Sequence, residues 1–86
     1  MTRVPVVVTE AVFTAPHDRE VRVSADRQKI THRFGRRFTE YDHDRFRFWL
    51  SWFERNAAMQ RWPEDRADAE VLRAARDLLV KEGVLA

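Results

Sequence analysis

The hydrophobic pattern changes period once along this chain. Up to about residue 34 the apolar side chains are largely β-branched and alternate with polar ones. Beyond about residue 42 they recur every three or four positions. The first spacing lines one face of a strand and the second one face of a helix. Sheet first and helices after is the order of an α+β domain.

Val4 to Phe13 carries Val4, Val6, Val7, Val8, Thr9 and Val12. Branched side chains are stiff at χ1 and suit a pleated surface. Pro5 has no amide donor and belongs at a strand start or on an edge. Ala15-Pro16-His17-Asp18-Arg19 reads as a turn, and Glu20-Val21-Arg22-Val23-Ser24 alternates like a half-buried strand. Residues 25–34 admit two readings. As a helix, Ser24 caps it, Ile30 stacks on Phe34 and Gly35 ends it. As a strand, Ile30, His32 and Phe34 share one face and Ala25-Asp26-Arg27-Gln28 is a hairpin loop. The strand is favoured, because Ile30 and Thr31 are branched and the helical stripe is thin; Gly35 then marks a bend.

A first long helix is expected to start between Thr39 and Asp44, where acids meet the positive end of the helix dipole. In the Asp42-His43-Asp44 triplet a capping role is favoured over metal binding. Pro63, with Glu64 and Asp65, opens a second helix that stops at Gly83, with Val84 as the hydrophobic contact of a glycine C-cap. The expected fold is therefore α+β. A small two- or three-stranded antiparallel sheet over about 4–34 is packed by two antiparallel helices, about 42–60 and 64–82, in a single domain. An 86-residue chain leaves room for no second domain.

The first helix carries too many aromatics for one face. Phe46, Trp49, Leu50, Phe53 and Ala57 gather in one stripe, while Phe48, Trp52 and Met59 gather on nearly the opposite side. An ordinary surface helix has one apolar stripe. Either the helix lies mid-domain, one face on the sheet and the other on the second helix, or the second face is a docking surface. Trp and Arg are enriched in interface hot spots, so Phe48, Trp52, Arg55, Met59 and Trp62 are the candidate protein-binding residues. The second helix is plainer: Ala67, Val71, Ala74, Ala75 and Leu78 form its stripe, widened by Leu72 and Leu79.

The net charge of +2 implies no particular partner, but its distribution is uneven. Residues 1–38 hold eight basic and four acidic side chains; residues 39–86 hold eight and ten. Arg27, Lys29, Arg33, Arg36 and Arg37 lie together with no acid among them. A solvated face is the plain reading of such a run, and an anion-binding edge for nucleic acid the sharper one.

Little else points to chemistry. Without Cys there is no disulfide framework, thiolate zinc finger or cysteine nucleophile. The three His match no zinc spacing, and two Gly cannot form a phosphate-cradling loop. No cofactor, metal or enzymatic activity is expected. No run is long and apolar enough for a membrane span, and the first residues lack a signal-cleavage pattern, so a cytoplasmic protein is expected. The leading expectation is a non-enzymatic protein-binding or regulatory module, its partner another protein or a second copy of itself. Its size and mixed charge suit a small accessory protein of a phage or mobile element. The alternative is a nucleic-acid binder using residues 27–37.

Overall fold

A computed structural model describes residues 9–59 and 62–85. Residues 4–8 of the expected first strand, and Gln60 and Arg61 between the helices, lie outside them. Four strands form one antiparallel meander: β1 (Ala11–Ala15), β2 (Arg19–Val23), β3 (Ile30–Phe34) and β4 (Arg37–Tyr41), in chain order across the sheet. Two helices follow, α1 (His43–Ala58) and α2 (Pro63–Lys81). The class is the expected one, but the sheet has four strands rather than two or three.

The turns show why the strands reverse where they do. Pro16 leads into His17 and Asp18, both left-handed with φ of 64° and 57°. Gly35, at φ 59°, supplies the same hand between β3 and β4 without a Cβ clash, and its amide donates to the Asp18 carbonyl at 3.1 Å. The two turns therefore brace each other at one end of the sheet.

The other end is closed by Arg27. It is left-handed at φ 64°, a conformation that costs a branched or long side chain about 1 kcal/mol or more. Its surroundings hold it there. The guanidinium grips Glu82 at 2.8 and 3.1 Å and donates to the Thr9 carbonyl at 2.8 Å, while the Arg27 carbonyl accepts from His43 Nε2 at 2.7 Å. One residue thus ties the β2–β3 loop to the start of α1 and the end of α2.

The cap chemistry matches the residues. The Asp42 carboxylate accepts from the Arg45 amide at 2.8 Å, as an N-cap should. Gly83 at φ 76° ends α2, with Gly83 N donating to Val80 O and Val84 N to Leu79 O. Val84 packs against the core, as a glycine-terminated helix end requires.

Register sorts the sheet into two faces. Three rows point inward: Ala11, Val23, Ile30 and Tyr41; Phe13, Val21, His32 and Thr39; Ala15, Arg19, Phe34 and Arg37. α2 covers this face over β1 and β2, while α1 packs along α2 and reaches β3 and β4. Phe46, Leu50, Phe53, Val71, Leu72, Ala75 and Leu79 fill the space between. Each large apolar side chain removed from water there contributes on the order of 2 kcal/mol. No described element covers the outer face, and in the described sheet β1 and β4 are the two edge strands.

Candidate functional site

α1 resolves the two-faced pattern. Phe46, Leu50 and Phe53 are buried, with Trp49 and Ala57 half-buried beside them. The opposite stripe stays largely in water: Phe48 is 55 % exposed, Trp52 38 %, Met59 58 % and Trp62, just before α2, 63 %. Arg55 between them is exposed as well. The mid-domain arrangement is therefore not adopted, because one face of α1 serves both the sheet and α2. Glu54 marks the α2 side, its carboxylate 3.2 Å from Arg73 and 3.8 Å from Arg76. Trp52 lies about 160° around the helix from Glu54. The aromatic stripe thus faces away from α2, toward the β4 edge of the molecule.

The exposed rings are held in place. Trp52 meets Phe53 edge to face at 4.9 Å between centroids and Trp49 at 5.5 Å; Trp49 in turn meets Phe48 at 5.2 Å. Aromatic contacts of this geometry add about 1 kcal/mol beyond area. Trp52 is therefore rooted on the buried Phe53 and presents a preordered surface. A shallow depression beside it is lined by Trp52, Arg55, Asn56, Ala58 and Met59.

The five cations between residues 27 and 37 are not brought together. Arg27 is engaged with Glu82, whose carboxyl its hydrogen bond holds below the ordinary value. Arg33 lies 3.5 Å from Glu20 on the outer sheet face, where Arg22 also reaches Glu20 at 3.3 Å. Lys29 sits at the start of β3 and Arg36 and Arg37 beyond its end, roughly 16 Å of strand apart. Of the five, only those three have no ion-pair partner among the described residues.

The structure also contains a constellation the sequence reading missed. His32 is fully buried at the centre of the inner sheet face. Its Nδ1 lies 3.0 Å from the Tyr41 hydroxyl and its Nε2 2.8 Å from Asp68 Oδ1, on α2. Arg19 Nε lies 3.0 Å from the same oxygen, but its N–H is off the line of a hydrogen bond, so that contact is an ion pair. These partners set the tautomer: Nε2–H donates to the carboxylate and Nδ1 accepts from the phenol. Phe34 lies 4.0 Å from the imidazole between centroids and Phe53 5.5 Å, and the Arg19 guanidinium lies over Phe34 at 5.7 Å.

Hydroxyl, imidazole and carboxylate stand in series, all within the buried interior, with Tyr41 3 % exposed. Burial, then the charge of Asp68, drives the phenol well above its ordinary value. Asp65, one turn before Asp68, is also raised, chiefly by burial and then by Asp68. The network works as internal wiring: it joins β2, β3, β4 and α2 through polar groups that burial obliges to find partners.

Among the described residues, no group of three His, Cys, Asp or Glu side chains is placed to hold a metal ion, and no helix is long and apolar enough to cross a membrane. No family model, curated protein or solved structure matches this chain.

Proposed function

We propose that this chain is a non-enzymatic protein-binding module that associates with a second copy of itself through the outward face of α1. The observation behind this reading is the exposed stripe of Phe48, Trp52 and Met59 on a helix whose other face already completes the core. Water-exposed aromatics in a contiguous, preordered patch are a liability unless something covers them. Centrally placed Trp flanked by Arg is the composition that dominates binding energy in protein interfaces.

The nucleic-acid alternative has less support, since Arg27 and Arg33 are engaged with acids and the remaining three cations are divided between two ends of a strand. A phosphate backbone rewards a continuous row of free cations.

The test is molar mass by light scattering over a dilution series. The wild-type chain, 10.3 kDa, is expected at about twice that mass when concentrated. Trp52→Glu places a charge in the stripe while every buried residue of the core stays in place, and it is expected to run as a single chain. A wild type at single-chain mass throughout, or a Trp52→Glu variant with unchanged self-association, overturns the reading.

A further inference from the structure

β4 is an edge strand with a distinctive charge order. From the turn onward the chain reads Arg36-Arg37-Phe38-Thr39-Glu40-Tyr41-Asp42. Cations stand at one end and acids at the other. None of Arg36, Arg37, Glu40 and Asp42 has an ion-pair partner among the described residues, and all four are exposed. Phe38, in the middle of the strand, is 66 % exposed on the outer face.

The free hydrogen-bonding groups of this edge follow from the register. The two-residue Gly35-Arg36 turn closes on the Phe34/Arg37 pair. Opposed residues in an antiparallel ladder alternate between bonded and non-bonded pairs. Arg37, Thr39 and Tyr41 therefore turn their amides and carbonyls toward β3, while Phe38 and Glu40 turn theirs to the open edge. No described backbone group outside the sheet bonds to them.

We infer that two copies join along this edge, β4 against β4 in antiparallel register, making one continuous sheet of eight strands; the inference rests on the self-association proposed above. Centring the two-fold axis on Thr39 sets Phe38 opposite Glu40 of the second copy, so all four outward groups of each strand's Phe38 and Glu40 find partners. The same register sets Arg36 against Asp42 of the second copy, with Glu40 of that copy diagonally adjacent. The charge order of the strand is complementary to itself only when antiparallel. Parallel addition would set like charges side by side, which destabilises cross-strand pairs.

The helices fit the same arrangement. α1 rests on β3 through Phe53 and touches β4. Strands lie about 4.8 Å apart, so an α1 axis above the β3–β4 half of the sheet lies within roughly 10 Å of its symmetry mate, the distance at which helices pack. The stripe that faces away from α2, with Trp52 at its centre, is the side each α1 turns toward the other. Thr39, small and on the inner face at the axis, leaves room beneath them. The exposed edge and the exposed stripe are thus two parts of one interface.

The experiment uses the full chain and two readouts, light-scattering mass and hydrogen exchange at the Phe38 and Glu40 amides. Glu40→Pro removes one outward donor, a change edge strands accept because that N–H serves no ladder within the chain. It is expected to raise the dissociation constant roughly tenfold or more. In the wild type both amides are expected to exchange slowly when concentrated and to lose that protection on dilution. Arg36→Glu/Arg37→Glu and Glu40→Lys, which alter only exposed side chains, are each expected to weaken association alone and to restore it when mixed. Retention of the dimer in Glu40→Pro while Trp52→Glu dissociates overturns the β4 inference and leaves the α1 reading standing. Concentration-independent exchange of both amides overturns the β4 inference too. A single-chain mass for the wild type overturns both.

Discussion

The centre of the sheet and the outward face of α1 invert the usual distribution of residue types. The centre buries His32, Asp68 and the Tyr41 hydroxyl, while α1 leaves Phe48, Trp52 and Met59 in water. Each inversion is tolerable for a different reason. The buried polar groups satisfy one another, so little desolvation goes uncompensated. The outer faces of the exposed aromatics are covered by no other described residue. Polar residues inside are therefore explained by the fold, whereas apolar residues outside call for something beyond it.

The largest expected effect breaks the inner half of this comparison. Asp68→Ala removes the partner of His32 and Arg19 at once. Taking one member from a buried charged pair costs on the order of 3 kcal/mol, to be read from the midpoint of chemical denaturation. A loss below about 1 kcal/mol would mean that water enters and replaces the carboxylate.

Tyr41 gives the next effect, and its sign follows from burial. The native phenol ionises well above the ordinary value of 10.0. Between those two values the native state holds a proton that the unfolded chain has released, so stability is complete below pH 10 and falls as pH rises beyond it. Tyr41 is the only tyrosine, so phenolate absorbance reports it directly. Ionisation is expected to coincide with loss of structure, and a reversible titration near pH 10 in the folded state would contradict the buried network.

The Arg27–Glu82 clamp responds in the opposite direction. The Glu82 carboxyl is held below its ordinary 4.5, mainly by the hydrogen bond from Arg27. Its contribution is present above pH 4.5 and is lost as pH falls through the lower native value. Arg27→Gln is expected to flatten that part of the acid limb of a stability–pH curve. Because both groups reach solvent, the change is smaller than that at Asp68.

The smallest effect is expected at the outward face. Trp52→Glu and Phe48→Ala should each lower the stability of the isolated chain by about 1 kcal/mol, through the ring contacts to Trp49 and Phe53 that they give up. The same variants are the ones that abolish association.

Much of this was legible in the residues. A helix start between Thr39 and Asp44, Gly83 with Val84 as the end of α2, and the division of α1 into two apolar stripes all follow from local chemistry, while the choice of Asp42 as the cap does not. Local signals could not tell which stripe is core, because Phe46/Leu50/Phe53 and Phe48/Trp52/Met59 are about equally apolar; the choice is made by the sheet. β4 escaped notice for a related reason. In Arg37-Phe38-Thr39-Glu40-Tyr41 only Tyr41 is buried, so an edge strand with an exposed Phe shows no alternation of apolar and polar residues. The buried network did leave a signal. Asp68 lies on the stripe of α2, three and four positions before Val71 and Leu72, and His32 alternates with Ile30 and Phe34. A lone acid on one apolar face and a lone imidazole on another are each unremarkable, and only the packing of α2 over the sheet makes them partners.

The most direct test of the inside–outside contrast is the thermal unfolding midpoint as a function of chain concentration, for the wild type and Trp52→Glu together. Association stabilises the native state by mass action. The wild-type midpoint is therefore predicted to rise with concentration, while that of Trp52→Glu stays constant, about 4–8 °C below the wild-type value at the dilute limit because the ring contacts to Trp49 and Phe53 are lost. A Trp52→Glu midpoint far below the wild type at every concentration would place Trp52 in the core, and a flat wild-type midpoint would remove the second copy.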